Sequence, residues 1–202
     1  SNTNPLGTPQ GVLGAMSEAL QNVHHYPDPY CRKLVHAIAA FEDMPREYIL
    51  CGNGAAELIY AYSEAIGARL AAEVEPTFAE YGQALASTGC ELEYYMLTEN
   101  DGFVLSEAYL DILHKGLDMA FLCNPNNPTG MLIPHRLLKK ILEKCRKLDI
   151  LLVVDECFLD FVKDPEEYSL KRSLSGFDNL FILKAFTKRY AMAGVRLGYG
   201  LC

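Results

Sequence analysis

The sequence lacks any run of basic residues, any apolar stretch near membrane-span length, and any CxxC pair. Each absence removes a class of function. Phosphate backbones select for clustered Lys and Arg. Here 26 acidic residues face 18 basic ones, a formal net charge of -8, so no nucleic-acid partner is expected. A spanning helix needs roughly 20 apolar residues in a row, and the N-terminus shows no charged segment followed by an apolar one. No membrane partner is expected either. The seven cysteines, without CxxC spacing, argue against zinc, and no metal is expected. Several, such as Cys123 after Met119-Ala120-Phe121-Leu122, sit inside apolar runs. That is the habit of reduced, buried thiols in a cytoplasmic protein.

What is present is enough for a substantial core. The chain has 202 residues, 50% hydrophobic and 22% charged, the composition of an ordinary globular domain. It opens SNTNPLG without an initiator Met and stops at Leu201-Cys202 directly after a strand-like stretch. Residues 1–202 therefore read as one domain excised from a longer protein.

Apolar residues recur at helical spacing over Gln10–Val23, Tyr30–Phe41, Ala55–Ile66, Phe78–Ser87 and Arg136–Leu148, and Ser106 reads as an N-cap for Glu107–Leu113. Tyr48–Cys51, Arg69–Val74, Glu91–Leu97, Asp118–Cys123, Ile150–Val154 and Leu180–Leu183 read as strands. Ile150–Val154, five consecutive aliphatic residues, has the pattern of a strand buried on both faces. Such alternation predicts an α/β fold, a mostly parallel sheet sandwiched by helices.

In such sheets ligands bind beyond the carboxyl ends of the strands. Four polar clusters fall there: Gly52-Asn53-Gly54, Asn124 to Gly130, Asp155-Glu156, and the Thr187-Lys188 region. A glycine turn opening a helix offers free N–H groups to an anion, so Gly54, Ala55 and Ala56 are candidate phosphate ligands. The alternative is a plain tight turn. Glu57 stands where a dinucleotide fingerprint needs its third glycine, which disfavours that reading. Asn126 and Asn127 lie in a proline-fixed loop. Asp155, after a buried strand, needs a cationic or hydrogen-bonding partner. A lysine at a buried strand end loses solvation and becomes a candidate Schiff-base former, and an arginine eight positions later can offer a fork to phosphate.

Together and in this order, the phosphate turn, NNPTG, Asp155, Lys188 and Arg196 resemble the fold-type-I pyridoxal-phosphate enzymes of the aminotransferase class I/II family. The resemblance covers essentially the whole chain. It implies that Lys188 binds the aldehyde of pyridoxal 5'-phosphate and moves the Cα proton, and that Asp155 pairs with the pyridinium nitrogen. It further implies that Asn127 hydrogen-bonds the phenolic oxygen and that Tyr81 stacks on the ring. Gly54, Ala55, Ala56, Thr187 and Arg196 would hold the phosphate, and Tyr26 would reach the phosphate of a neighbouring subunit in a homodimer with shared active sites. The stretch Asn4 to Gly7 would cover the substrate. The resemblance also implies a C-terminal small domain, absent from this chain, that grips the substrate carboxylate.

Two positions depart from the family pattern. Ala185 stands where many relatives carry a phosphate-binding serine, and Phe158 where many carry a tyrosine. Within the family, NPLGTP, HYPDP, FAEYG, DECFLDF and FTKRYAMAGVRLGYG look most like the L-threonine-O-3-phosphate decarboxylases of corrinoid biosynthesis, with histidinol-phosphate aminotransferases next. Either way the substrate would be a small phosphorylated amine or amino acid. A remoter alternative is a non-catalytic pyridoxal-phosphate sensor domain.

Overall fold

The computed structural model describes residues 2–202. Its centre is a seven-stranded sheet in the order β1-β7-β6-β5-β4-β2-β3. The strands are β1 Ile49–Gly52, β2 Leu70–Glu75, β3 Glu91–Met96, β4 Met119–Cys123, β5 Leu151–Asp155, β6 Leu180–Ala185 and β7 Gly198–Leu201. Neighbouring strands are parallel except that β7 runs antiparallel to both β1 and β6. The α/β, mostly parallel sandwich expected from the sequence is the fold observed.

Helices cover both faces: α1 Gln10–Ala19, α2 Arg32–Glu42, α3 Ala55–Ile66, α4 Glu80–Ser87, the short α5 Tyr109–Ile112, α6 His135–Lys147 and the short α7 Phe186–Arg189. Period-2 alternation splits each central strand between two cores. Leu122, Leu152, Val154 and Ile182 face Ile38 of α2 and Leu138 and Ile141 of α6. Phe121, Val153, Phe181 and Leu183 face Leu58 and Ile59 of α3 and Ala84 and Leu85 of α4. Burying one such leucine or phenylalanine contributes about 2 kcal/mol. α6 ends in Lys144, Arg146 and Lys147, which suit the negative end of its dipole. The helix expected after Ser106 is shorter than its apolar spacing suggests. Ser106 Oγ accepts from Ala108 N at 3.3 Å, and the helix proper begins only at Tyr109.

α1 stands apart, for it buries none of its residues, and Leu20, Val23 and Tyr26 beyond it are exposed. The segment preceding α1 is tied instead to the turn after β6. Asn4 N donates to Lys188 O and Asn4 Nδ2 to Arg189 O, both at 2.9 Å, and Thr8 Oγ1 donates to Ala191 O at 2.9 Å.

Candidate active site

Four loops beyond the sheet meet in one cavity of about 110 Å³. Ala55 and Ala56 border it from the start of α3, Asn127 from the loop after β4, Asp155 from the end of β5, and Thr187 and Lys188 from α7. Arg196, Phe78, Tyr81, Phe158 and Ala185 complete much of the wall. A larger cavity of about 430 Å³ adjoins it, sharing Asn127 and Phe158 and bordered by Asn2 and Thr3.

The glycine turn is built by local bonds. Asn53 N donates to Glu57 Oε2 at 2.7 Å, so Glu57 caps the helix start from the position where a dinucleotide site would need glycine. Gly54, at φ +83°, is the N-cap, and its own N–H is spent on Gly52 O at 2.8 Å. This corrects one expectation: Gly54 supplies the left-handed turn and the room, while the free N–H groups are those of Ala55 and Ala56 in the first helical turn. The room is needed, because a Cβ on Gly54 would lie 2.9 Å from Arg196 Nη2. Gly198 on β7 is equally constrained, since a Cβ there would stand 2.6 Å from Ala55 N. The Arg196 guanidinium thus lies against the helix start, and among the described residues no carboxylate pairs with it.

In the loop after β4 the two asparagines divide the work. Asn126 accepts from Thr77 Oγ1 at 2.8 Å and donates to Pro76 O at 3.0 Å and Thr129 Oγ1 at 2.9 Å. It is a knot, and it leaves the half-buried Asn127 on the cavity wall.

Asp155 is buried, with Oδ2 accepting from Tyr81 OH at 2.7 Å and Oδ1 from Cys157 N at 2.8 Å. Tyr81 is correspondingly fully buried, and its ring stacks on Phe121 with centroids 5.2 Å apart. The stacking role expected of Tyr81 is therefore corrected. Its hydroxyl orients Asp155, and the half-buried aromatics on this wall are Phe158 and Phe78, the latter edge-on to Tyr81 at 5.5 Å. Burial, reinforced by Asp155, pushes the Tyr81 phenol well above its ordinary range, so it stays a donor.

Lys188 projects toward Phe158, its Nζ 5.1 Å from the ring centroid, with no carboxylate paired to it among the described residues. Two thiols the sequence did not flag, Cys123 and Cys157, also border the cavity. Burial, with Asp155 nearby, pushes Cys123 up to about 12 and Cys157 well above the ordinary thiol range. Both remain thiols near neutral pH and leave Lys188 without a competing nucleophile. Tyr26 is fully exposed and does not border this cavity.

The family model for aminotransferase class I and II matches residues 1–202. The chain belongs to that family. Members depend on pyridoxal phosphate. The chain is 42% identical over 199 residues to a threonine-phosphate decarboxylase of Salmonella typhimurium, covering 98% of this chain and 54% of that protein. It is 32% identical over 205 residues to a histidinol-phosphate aminotransferase of Methanococcus maripaludis, again with 54% of that protein covered. The solved L-threonine-O-3-phosphate decarboxylase of Porphyromonas gingivalis superposes with TM-score 0.87 at 25% identity, covering all of this chain and 58% of that one. The chain thus spans about half the length of the curated relatives it matches.

The aminotransferase-family cavity fits the cofactor by its own chemistry. It has a lysine without a carboxylate partner among the described residues for an aldehyde, and a buried, hydrogen-bonded carboxylate for a ring nitrogen. At the helix start, a guanidinium likewise without a carboxylate partner and the N–H groups of the first helical turn suit a phosphate.

Proposed function

We propose that the protein is a pyridoxal-phosphate enzyme that decarboxylates L-threonine O-3-phosphate. The observation that carries the cofactor half is that Lys188 and Arg196, two cations without carboxylate partners among the described residues, border one cavity with the buried Asp155 between strand ends. The substrate half is supported by the 42% identity to a threonine-phosphate decarboxylase.

Pyridoxal phosphate, when bound, supplies the sink for the electron pair left at the substrate Cα. The chain's own residues do the rest. Lys188 Nζ would hold the aldehyde end of the cofactor and, as an ammonium, would deliver a proton to the substrate Cα. Asp155, kept in place by Tyr81 and the Cys157 amide, would face the ring nitrogen and favour its protonated form. Ala55 N, Ala56 N, Thr187 and Arg196 would hold the phosphate, and Asn127 the phenolic oxygen. Phe158 offers no hydroxyl there, so Asn127 carries that contact alone. The adjoining cavity beside Asn2 and Thr3 is where the substrate enters, under the strap that runs through Asn4. The protein works in the cytoplasm as a homodimer, with Tyr26 reaching the partner's phosphate. The fully exposed Tyr26 and the unburied α1 support that arrangement.

The full chain, loaded with pyridoxal phosphate and given L-threonine O-3-phosphate, should release carbon dioxide and aminopropanol phosphate. A keto acid with no carbon dioxide would establish instead the second reading, a histidinol-phosphate-type aminotransferase, which the 32%-identical relatives favour.

A further inference from the structure

Asp155 and Glu156 are consecutive at the end of β5, and strand alternation sends them to opposite faces. Asp155 meets the cavity. Glu156 turns away, its side chain fully buried, with Oε2 accepting from Ser169 Oγ at 2.8 Å and Oε1 from Leu170 N at 3.0 Å. Its own N–H donates to Leu183 O of β6 at 2.9 Å.

Behind it lies a closed set of charges. Lys184 Nζ of β6 stands 4.0 Å from Glu156 Oε2 and 3.3 Å from Glu42 Oε1 at the end of α2. Glu42 also accepts from Tyr199 OH of β7, and its Oε2 takes Lys171 Nζ at 3.0 Å. Lys171 in turn bonds Glu166 at 3.0 Å. Three members of this set are chain neighbours of residues at or beside the cavity. Glu156 follows Asp155 and Lys184 precedes Ala185, both on its wall, and Tyr199 follows Gly198, where a Cβ would stand 2.6 Å from Ala55 N. None of the three touches the cavity itself.

We infer that Glu156 is a positioning residue for the cofactor site: by anchoring its own backbone to the 169–170 segment and to β6, it fixes the rotation of the strand end that carries Asp155. The inference rests on the pyridoxal-phosphate reading. The charge bookkeeping supports it. Burial, which outweighs the opposing pull of Lys184, Ser169 and the Leu170 amide, pushes Glu156 up to about 7. Lys171 and Lys184 are then balanced by Glu42 and Glu166. Glu156 acts chiefly through its two hydrogen bonds, which a glutamine can imitate.

The test uses the full chain loaded with pyridoxal phosphate and compares Glu156→Ala with Glu156→Gln. Three readouts are taken: the thermal midpoint without cofactor, the rate of cofactor loss on dilution, and the pH midpoint of the bound cofactor's visible absorbance. Glu156→Ala should lose cofactor about tenfold faster, the scale of one well-placed hydrogen bond, and move the pH midpoint. Glu156→Gln should restore the loss rate to within about twofold, since its Oε1 can accept from Leu170 N and its Nε2 can donate to Ser169 Oγ, reversing that bond. A folded Glu156→Ala protein with unchanged loss rate and pH midpoint would overturn the inference, whatever its thermal midpoint. So would Glu156→Gln behaving like Glu156→Ala. Should Glu156→Ala fail to fold, Ser169→Ala, which removes one of the two Glu156 bonds together with the Lys171 N–H bond to Ser169 Oγ, should show a smaller change in the same direction, and wild-type values there would overturn it. A wild-type chain with no Lys188-dependent absorbance would instead overturn the cofactor reading, and this inference with it.

Discussion

The two faces of the strand ends treat charge in opposite ways. On the cavity face, Lys188 and Arg196 stand without carboxylate partners among the described residues, beside a buried Asp155 that accepts from a phenol and an amide. On the other face Lys171 and Lys184 are matched by Glu42 and Glu166 within 3.3 Å. A buried charge must find a partner or be neutralised. Where the protein supplies the partner, the charge serves the fold. Where it withholds the partner, as at the half-buried Lys188 and the exposed Arg196, the charge is left to water or to a ligand.

The largest break of this contrast is Lys188→Ala. It should abolish the visible absorbance of the bound cofactor and cut turnover by roughly 10³-fold or more, with the thermal midpoint of the cofactor-free chain unchanged. Retention of the absorbance would sink the assignment. On the matched face the loss should appear in stability. Removing one member of a buried pair strands the other, at about 3 kcal/mol, so Glu42→Ala should lower the denaturant midpoint by that equivalent. Burial raises the Glu42 carboxyl, but Lys184, Tyr199 and Lys171 together outweigh it and hold the folded value below the ordinary one. Its contribution is therefore present above the ordinary carboxylate range and lost as pH falls through the folded value. The difference between wild type and Glu42→Ala should shrink in acid.

Arg196→Gln comes next. It should weaken cofactor binding about 10- to 100-fold, the worth of a charged hydrogen bond, and leave the denaturant midpoint of the cofactor-free chain unchanged. A drop in that midpoint would place Arg196 among the matched charges. The smallest expected effect sharpens the contrast through a third case, Glu73, which is buried without a cation and accepts from the Gly82 amide. Burial, with Glu75 adding, raises it from 4.5 to about 7. The folded chain keeps the proton while the unfolded chain sheds it, so a cost builds between those two values and persists above them. Glu73→Gln should raise stability by about 2 kcal/mol at pH 8 and change it little at pH 4.

Much of the cavity face was legible in the sequence, because buried parallel strands read as aliphatic runs and their ends as Gly, Pro, Asn and Asp. Helix Ala55–Ile66 has the limits its spacing predicted, and the four strand-end clusters do converge. The misreadings are local. Phe78 and Tyr81 are three apart around the start of α4, so spacing puts both on one side and both border the cavity; only the entry angle of the helix decides that Phe78 stays half-buried there while Tyr81 is buried with its hydroxyl on Asp155. The Gly54 N–H was lost to a bond within its own turn. The matched face was not legible at all. Glu42 and Lys171 meet across 129 residues, and nothing in the short-range pattern pairs them. The antiparallel β7 was hidden likewise, for its glycines are there to admit Ala55 N and the Phe181 ring rather than to mark a turn.

The strap through Asn4 sets the timing of assembly. Its side chain closes on Arg189 over a separation of 185 residues, and Thr8 closes on Ala191 over 183. Closures that distant come late in folding. The folding chain can pack α2, α3 and the first strands while residues 4 to 8 still hang free, but the lysine turn cannot be clasped until residues 189 to 191 are in place. The cofactor site is completed only when segments 183 to 185 residues apart have met.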